Sequence, residues 1–239
     1  TNSLTPVSPF GSSSITLNAG TTLDLRAEGT PNNTVETITY GNNTTVAGDA
    51  TIHVQRFAGT SNNKIIALGT LSIGANTLTV TGATNYSLGF GATTLTGNAV
   101  FNANTGGLIL GLISESGGSY SLTKTGSQSL QITGNTSYTG ATTISAGNLQ
   151  LGNGGTTGSL PNTSSFSING TLIINRSNAF TQAADLNGHA LTGSASFAQA
   201  GTGTTTLSLM NTYTGATAAT AGTLSINTIA DYGNDSAIG

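Results

Sequence analysis

The chain has little of what most globular proteins depend on. Its 239 residues include no cysteine, no tryptophan, one methionine and four prolines. Without cysteine, neither a disulfide scaffold nor a thiolate metal centre can form. Only 5% of the residues are charged, whereas an average soluble domain carries roughly 25%. Polarity must therefore come from short uncharged side chains, and the sequence is rich in threonine, serine and asparagine.

The scarcity of charge excludes several classes of partner. Five lysines and arginines and a net charge of −3 provide no basic surface, so nucleic acid is not an expected partner. The longest apolar stretch, residues 108–113, is far shorter than the ~18 residues of a membrane helix. We therefore expect no membrane insertion by this chain, and that stretch suits a buried strand.

The most informative feature is an internal near-duplicate. Residues 137–151 read SYTGATTISAGNLQL, and residues 212–226 read TYTGATAATAGTLSI. Aligned without gaps, so that Tyr138 matches Tyr213, the two segments share eight of fifteen positions. Repetition of this kind predicts a stacked architecture, in which each unit buries its apolar face against its neighbours.

Short strands alternate between apolar and polar residues along the whole chain, as in residues 129–132, 148–151, 171–174, 207–209 and 223–226. The intervals from Leu110 to Ile132, from Ile132 to Leu151 and from Leu209 to Ile226 are each about 20 residues, the length of one solenoid coil. A β-sandwich would repeat at about 8–12 residues. At ~20 residues and 4.8 Å per coil, we expect eleven or twelve coils and a rod of about 50 Å.

The chain reads as one solenoid whose character changes near residue 64. Residues 1–64 hold most of the charge and the least regular strands, and we interpret them as a less regular N-terminal part. Residues 65–239 are more uniform and are interpreted as the β-helix proper, clearest at 122–155 and 197–226.

Residues 122–155, LTKTGSQSLQITGNTSYTGATTISAGNLQLGNGG, resemble the autotransporter-associated β-strand repeat, also called the passenger-associated transport repeat. Residues 197–226 resemble a more degenerate copy, in which Phe-Ala-Gln-Ala replaces the initial Leu-Thr-Lys-Thr. Residues 66–113 resemble the segment that often precedes such a repeat. The resemblance implies a right-handed parallel β-helix in a large secreted or cell-surface bacterial protein.

Two tyrosines, Tyr138 and Tyr213, occupy equivalent repeat positions, each followed by Thr-Gly. They are candidates for glycan contact, because aromatic rings stack on sugars. The alternative, which we favour, is that each ring packs at a coil corner while the glycine makes the turn.

Other polar groups are weaker candidates. Asp24, Arg26 and Glu28 share one face of a strand, where they could serve a hydrolase or, more simply, form an exposed charge row. Residues 231–235, DYGND, could bind calcium or form a solvated turn. His53 and His189 lack companions at metal-ligand spacing. We therefore predict no catalytic residue, no metal and no cofactor.

The sequence as a whole predicts an all-β protein, a single-stranded right-handed parallel β-helix (β-solenoid), located outside the cell or on its surface. We expect a non-enzymatic stalk or adhesion scaffold. One alternative is a segment of a self-assembling extracellular fibre, since a solenoid with open ends can stack head to tail. Another is a carbohydrate-active or carbohydrate-binding β-helix. Partners would be further copies of the chain, end to end or laterally, and glycans or cell surfaces.

Overall fold

The computed structural model describes residues 3–4, 10–30, 33–60, 62–82 and 85–227. These residues form short strands separated by tight turns, together with a single-turn helix, α1 (Gln182–Asp185). The strands in chain order are β1 (Ser3–Leu4), β2 (Ile15–Leu17), β3 (Thr22–Arg26), β4 (Glu36–Thr39), β5 (Thr44–Val46), β6 (Ala50–Gln55), β7 (Lys64–Ala67), β8 (Leu71–Ile73), β9 (Thr77–Gly82), β10 (Ser87–Phe90), β11 (Thr93–Leu95), β12 (Ala99–Ala103), β13 (Gly107–Leu110), β14 (Ile113–Glu115), β15 (Leu122–Thr125), β16 (Ser129–Ile132), β17 (Thr142–Ile144), β18 (Asn148–Leu151), β19 (Phe166–Ile168), β20 (Thr171–Ile174), β21 (Phe180–Thr181), β22 (Ser196–Gln199), β23 (Thr204–Leu207), β24 (Thr217–Ala219) and β25 (Thr223–Ile226).

The strands pair in parallel, each with its counterpart in the next coil, so the fold is a parallel β-solenoid, as the sequence predicted. A ten-stranded sheet runs through the described chain in the order β1-β4-β7-β10-β13-β16-β18-β20-β22-β24. A five-stranded sheet (β2, β5, β8, β11, β14) and a seven-stranded sheet (β3, β6, β9, β12, β15, β17, β19) complete the earlier coils. A three-stranded sheet (β21, β23, β25) belongs to the later coils.

The core consists of columns of inward-facing side chains that stack from coil to coil. Residues in register on successive strands of the ten-stranded sheet form one unbroken apolar column. Its members are Ile38, Ile66, Leu88, Leu108, Leu130, Leu149, Leu172 and Phe197, all at most 3% exposed. Because alternate residues of a strand face opposite ways, the same strands present their other side chains to solvent.

The coils differ in length more than the sequence suggested. Ser3 pairs with Thr37 and Thr37 with Ile65, so the first two coils take about 30 residues each, against about 20–25 in the later coils. The estimate of eleven or twelve coils was too high, because it assumed ~20 residues throughout. Ten stacked strands span about 43 Å at the usual strand spacing. The division at residue 64 stays a prediction.

One strand boundary was also wrong. The strand expected at residues 207–209 ends at Leu207, and Leu207 rather than Leu209 pairs with Ile226. The backbone N–H of Leu209 instead donates to the side chain of Gln182, 3.2 Å away. The interval from Leu207 to Ile226 is therefore the same as the interval from Ile132 to Leu151 in the first repeat.

The two sequence repeats lie on different faces of the solenoid. In residues 122–151 the strands β15 and β17 belong to the seven-stranded sheet, and β16 and β18 to the ten-stranded sheet. In residues 197–226 the equivalent strands β22 and β24 belong to the ten-stranded sheet, and β23 and β25 to the three-stranded sheet. Each repeat thus stacks its second half on its own first half.

Gly147 makes the turn in the second half of the first repeat, and two features of its backbone require glycine there. Its φ is +71°, and an added Cβ would lie 2.6 Å from the carbonyl oxygens of Gly126 and Gln128 in the coil beneath. Gly188 has the same φ but no atom within 4 Å of the corresponding point.

We expect Gly147→Ala to lower the free energy of unfolding by about 2–4 kcal/mol, since it adds a steric clash to the cost of a left-handed backbone. Gly188→Ala is the matched control and should lose only about 1 kcal/mol. Urea unfolding followed by circular dichroism would measure both. Equal losses would mean that the contact between stacked turns is unimportant.

Candidate functional site

Most of the few basic side chains lie inside the solenoid. Of the five lysines and arginines in the sequence, Lys64 and Lys124 are 0% exposed and Arg176 is 6% exposed. A buried cation is costly unless it is paired or hydrogen-bonded. The contacts of these three side chains therefore show what the charges do.

Lys124 joins the two stacked turns of the first repeat. Its Nζ donates to the carbonyl oxygens of Thr125 and Gly126 in its own turn, at 2.8 and 2.9 Å, and to that of Ala146 in the next coil, at 3.0 Å. The three carbonyls use all three N–H donors of an ammonium group. Burial lowers the pKa of Lys124 from 10.5 to about 8.

Gln199 stands at the Lys124 position of the second repeat and has a similar role. Its Nε2 donates to the carbonyl oxygens of Gly201, at 2.7 Å, and Gly203, at 3.2 Å. Gly201 is the repeat equivalent of Gly126. Gln199 Oε1 also accepts from the Thr205 hydroxyl. The turn keeps a buried donor although the lysine is absent. Both acceptors of Gln199 Nε2 lie in its own turn, whereas Lys124 also donates to the next coil.

The other two buried cations hold the longer loops. Lys64 Nζ lies 3.3 Å from Glu36 Oε2, between side chains that are 0% and 2% exposed, and it donates to the Thr34 carbonyl at 3.0 Å. The backbone N–H of Thr30 donates to Glu36 at 2.7 Å. This hydrogen bond, with smaller contributions from the Thr30 hydroxyl and Lys64, outweighs burial and lowers the pKa of Glu36.

Arg176 binds the segment that contains α1. Its Nη1 lies 2.7 Å from Asp185 Oδ1, and its guanidinium lies 5.5 Å from the centre of the Phe180 ring. Asp185 Oδ2 accepts from the backbone N–H of Thr181, the N-cap of α1. These contacts replace sheet pairing where the coil is irregular.

The two repeat tyrosines are core residues. Tyr138 is 0% exposed and Tyr213 is 2% exposed. The hydroxyl of Tyr138 is hydrogen-bonded to Thr142 at 2.5 Å, and that of Tyr213 to Thr217 at the same distance. Burial raises the pKa of both tyrosines. The glycan-contact interpretation therefore needs correction: a sugar cannot stack on rings that the core covers, and the corner-packing alternative fits the geometry.

The glycine two residues after each tyrosine lies against the previous coil. An added Cβ would overlap the Tyr120 carbonyl oxygen at Gly140 and the Ala195 carbonyl oxygen at Gly215. Tyr-Thr-Gly is thus a corner motif, in which the ring fills the interior and the glycine permits close stacking of backbones.

The remaining candidates do not converge. Asp24 and Arg26 form an exposed ion pair at 2.8 Å, and the hydrogen bond from Arg26 is the main cause that lowers the pKa of Asp24. Glu28 lies beyond the end of β3 and accepts from the backbone N–H of Ala58. His53 contacts the Thr81 hydroxyl, and His189 the Thr163 carbonyl.

Within the described ranges, no three His, Cys, Asp or Glu side chains are grouped so that they could hold a metal ion. The suggested calcium loop at 231–235 lies outside the described residues. In the part of the chain that the structure describes, no helix is long and apolar enough to cross a membrane.

Two segments of the chain match a known family of repeats. The family model of the passenger-associated transport repeat matches residues 122–151 and 197–226, so the chain carries two such repeats within a parallel β-solenoid. These are the two segments in which Lys124 and Gln199 occupy equivalent turns.

A curated relative extends the similarity beyond the repeats. The chain is 34% identical to the Adhesin BmaC autotransporter of Brucella suis biovar 1 (strain 1330) over 216 aligned residues, which cover 67% of this chain. The chain spans about 6% of the length of that adhesin. No solved structure matches the chain. The passenger-type repeats and this similarity indicate a protein that is extracellular or displayed on the cell surface.

The shared role of Lys124 and Gln199 can be tested by exchange. Lys124→Gln should lower the free energy of unfolding by no more than about 1 kcal/mol, because an amide can still donate within the turn. Lys124→Ala should cost about 2–4 kcal/mol, since it leaves buried carbonyls without a donor and opens a cavity. Urea unfolding of both variants measures the difference. Equal losses would contradict the assignment.

Lys124 also predicts a pH dependence. Its pKa is lower in the folded chain than in the unfolded one, so the unfolded state binds more protons between about pH 8 and 10.5. Its contribution to stability should therefore rise through that window, by up to about 3 kcal/mol. The difference in free energy of unfolding between the parent chain and Lys124→Gln, measured at pH 7 and pH 10, isolates this effect. A difference that does not change with pH would contradict it.

Proposed function

We propose that this chain is a non-enzymatic stalk segment of a cell-surface adhesin, a stiff spacer that carries adhesive regions away from the cell. The observation that supports this most is the ten-stranded parallel sheet, which continues through the described coils without a break in register. In such a structure each coil is held by backbone hydrogen bonds and a packed core on both sides, which resists bending and local opening.

The distribution of reactive groups favours a spacer over an enzyme. Hydrolysis of a glycosidic bond needs two carboxyl groups about 5–10 Å apart beside the substrate. Glu36 and Asp185 are engaged by buried cations, and Asp24 is neutralised by Arg26 on an open sheet face. These carboxylates balance charge within the protein, so they are poor acids or bases for a bound substrate.

The two tyrosines no longer favour a carbohydrate-binding module, because the core buries them. Adhesion by some other surface of the chain is an alternative that the similarity to an adhesin favours. A fibre built by end-to-end stacking is the other alternative.

Beads coated with the chain would separate a stalk from an adhesin. We expect no saturable binding to cultured epithelial cells, to matrix proteins or to a glycan array. Small-angle scattering should give a rod of about 43 Å or longer, as ten stacked strands require. Beads coated with bovine serum albumin are the control. Saturable binding would reject the stalk in favour of an adhesive surface, and depolymerisation of a polysaccharide would show an enzyme.

A further inference from the structure

Three asparagine–glycine pairs lie outside the strands, at residues 153–154, 169–170 and 187–188. Such a pair can react with itself, because the glycine nitrogen is held beside the side-chain amide of the asparagine and no Cβ shields it. The nitrogen attacks only when its N–H is free of an acceptor and can release its proton to solvent. The contacts of the folded chain therefore decide which pair reacts.

Two of the pairs are restrained by hydrogen bonds. The backbone N–H of Gly154 donates to a carbonyl oxygen of the next coil at 2.7 Å, and that of Gly188 donates to the Gln182 carbonyl oxygen at 2.9 Å. The side chain of Asn187 is held as well, because its Nδ2 donates to the Thr163 carbonyl oxygen at 3.1 Å. Each of these hydrogen bonds must break before a ring can close, so the fold protects both pairs.

The pair at residues 169–170 has neither restraint. Among the residues that the structure describes, no acceptor is hydrogen-bonded to the Gly170 N–H, and no group is hydrogen-bonded to the side-chain amide of Asn169. Asn169 is exposed and Gly170 is partly exposed, so water reaches both reacting groups. This pair therefore combines a free nucleophile, a free amide and access to solvent.

We propose that residues 169–170 are a self-modification site of the rod, at which Asn169 deamidates without an enzyme. The Gly170 nitrogen releases its proton to solvent base and forms a bond to Asn169 Cγ, while Nδ2 leaves as ammonia and a cyclic succinimide results. Water then adds to one of the two ring carbonyls and breaks its bond to the nitrogen. Opening at Cγ gives aspartate, and opening at the main-chain carbonyl gives isoaspartate, in which the main chain continues through Cγ.

The isoaspartate product does not fit the stacked turn, because it lengthens the main chain by its Cβ. An added Cβ at Gly170 would already overlap the Gly147 carbonyl oxygen in the coil beneath, and the same oxygen accepts from the Thr171 N–H at 3.2 Å. On the other side, the Gly170 carbonyl oxygen accepts from the Ser196 N–H at 2.9 Å. Isoaspartate at residue 169 should therefore loosen the contacts of this turn with both neighbouring coils.

The inference goes beyond the proposed function and does not rest on it. It concerns the chemistry and stability of one turn, which are the same in a stalk and in an adhesive surface. A failure of either proposal would leave the other untouched.

Peptide mapping by mass spectrometry tests the site on the whole chain, after incubation at body temperature and mildly alkaline pH. If each hydrogen bond that must break slows the reaction about fivefold, Asn153 should react about 5 times and Asn187 about 25 times more slowly than Asn169. The chain unfolded in guanidinium chloride is the control, in which the three pairs should react at similar rates. Equal rates in the folded chain, or the same ratio of rates in both states, would overturn the proposal.

The effect on the turn is measured on the separated products. Anion exchange resolves the deamidated chains, which have gained a negative charge, and Asn169→Gln should form them much more slowly because its longer side chain closes a ring less readily. The isoaspartate form should unfold at a lower concentration of guanidinium chloride than the parent chain. Asn169→Asp is the matched control, since it carries the charge on an unchanged main chain, and should unfold as the parent does. An isoaspartate form as stable as Asn169→Asp would contradict the loosening of the turn.

Discussion

The close stacking of backbone on backbone at every coil is the constraint on which the rest of this structure depends. Successive strands lie at the fixed spacing of a parallel sheet, so every turn must also fit onto the turn beneath it. Glycine is required where two turns meet without room for a Cβ, as at Gly147 above Gly126 and at Gly140 above Tyr120. The same constraint leaves carbonyl groups of adjacent turns facing the interior. Lys124 donates to carbonyls of two stacked turns, and Gln199 donates to carbonyls of its own turn. One of the few basic residues of the chain is therefore used in its core.

Much of the fold could be predicted because the sequence shows both period-two alternation within strands and strand spacings of one coil length. The strands at 129–132, 148–151, 171–174 and 223–226 have the predicted bounds. Coil number could not be predicted equally well. The insertions that lengthen the first coils are loops, and a loop of any length can join two stacked strands without changing the pattern within them.

The buried charges on strands could have been predicted, but only by applying alternation to charged residues. Leu122 and Lys124 are two positions apart, as are Glu36 and Ile38, and Lys64 and Ile66; in each pair an inward apolar residue implies an inward charge. Burial of Tyr138 and Tyr213 was one of two alternatives that the repeat left open. Their position between strands, where neither face can be assigned by alternation, made the sequence indecisive.

The placement of the two repeats shows what a repeat of this type specifies. The step along the chain from Tyr138 to Tyr213 corresponds to three coils and one further face. The first strand of the pattern therefore lies in the seven-stranded sheet in one copy and in the ten-stranded sheet in the other. The pattern therefore does not encode a particular face. It encodes a local unit of strand, donor-stabilised turn, strand and tyrosine corner that stacks on itself, wherever along the coil it begins. A solenoid built from such units can accept coils of unequal length, because each unit stacks its second half on its own first half.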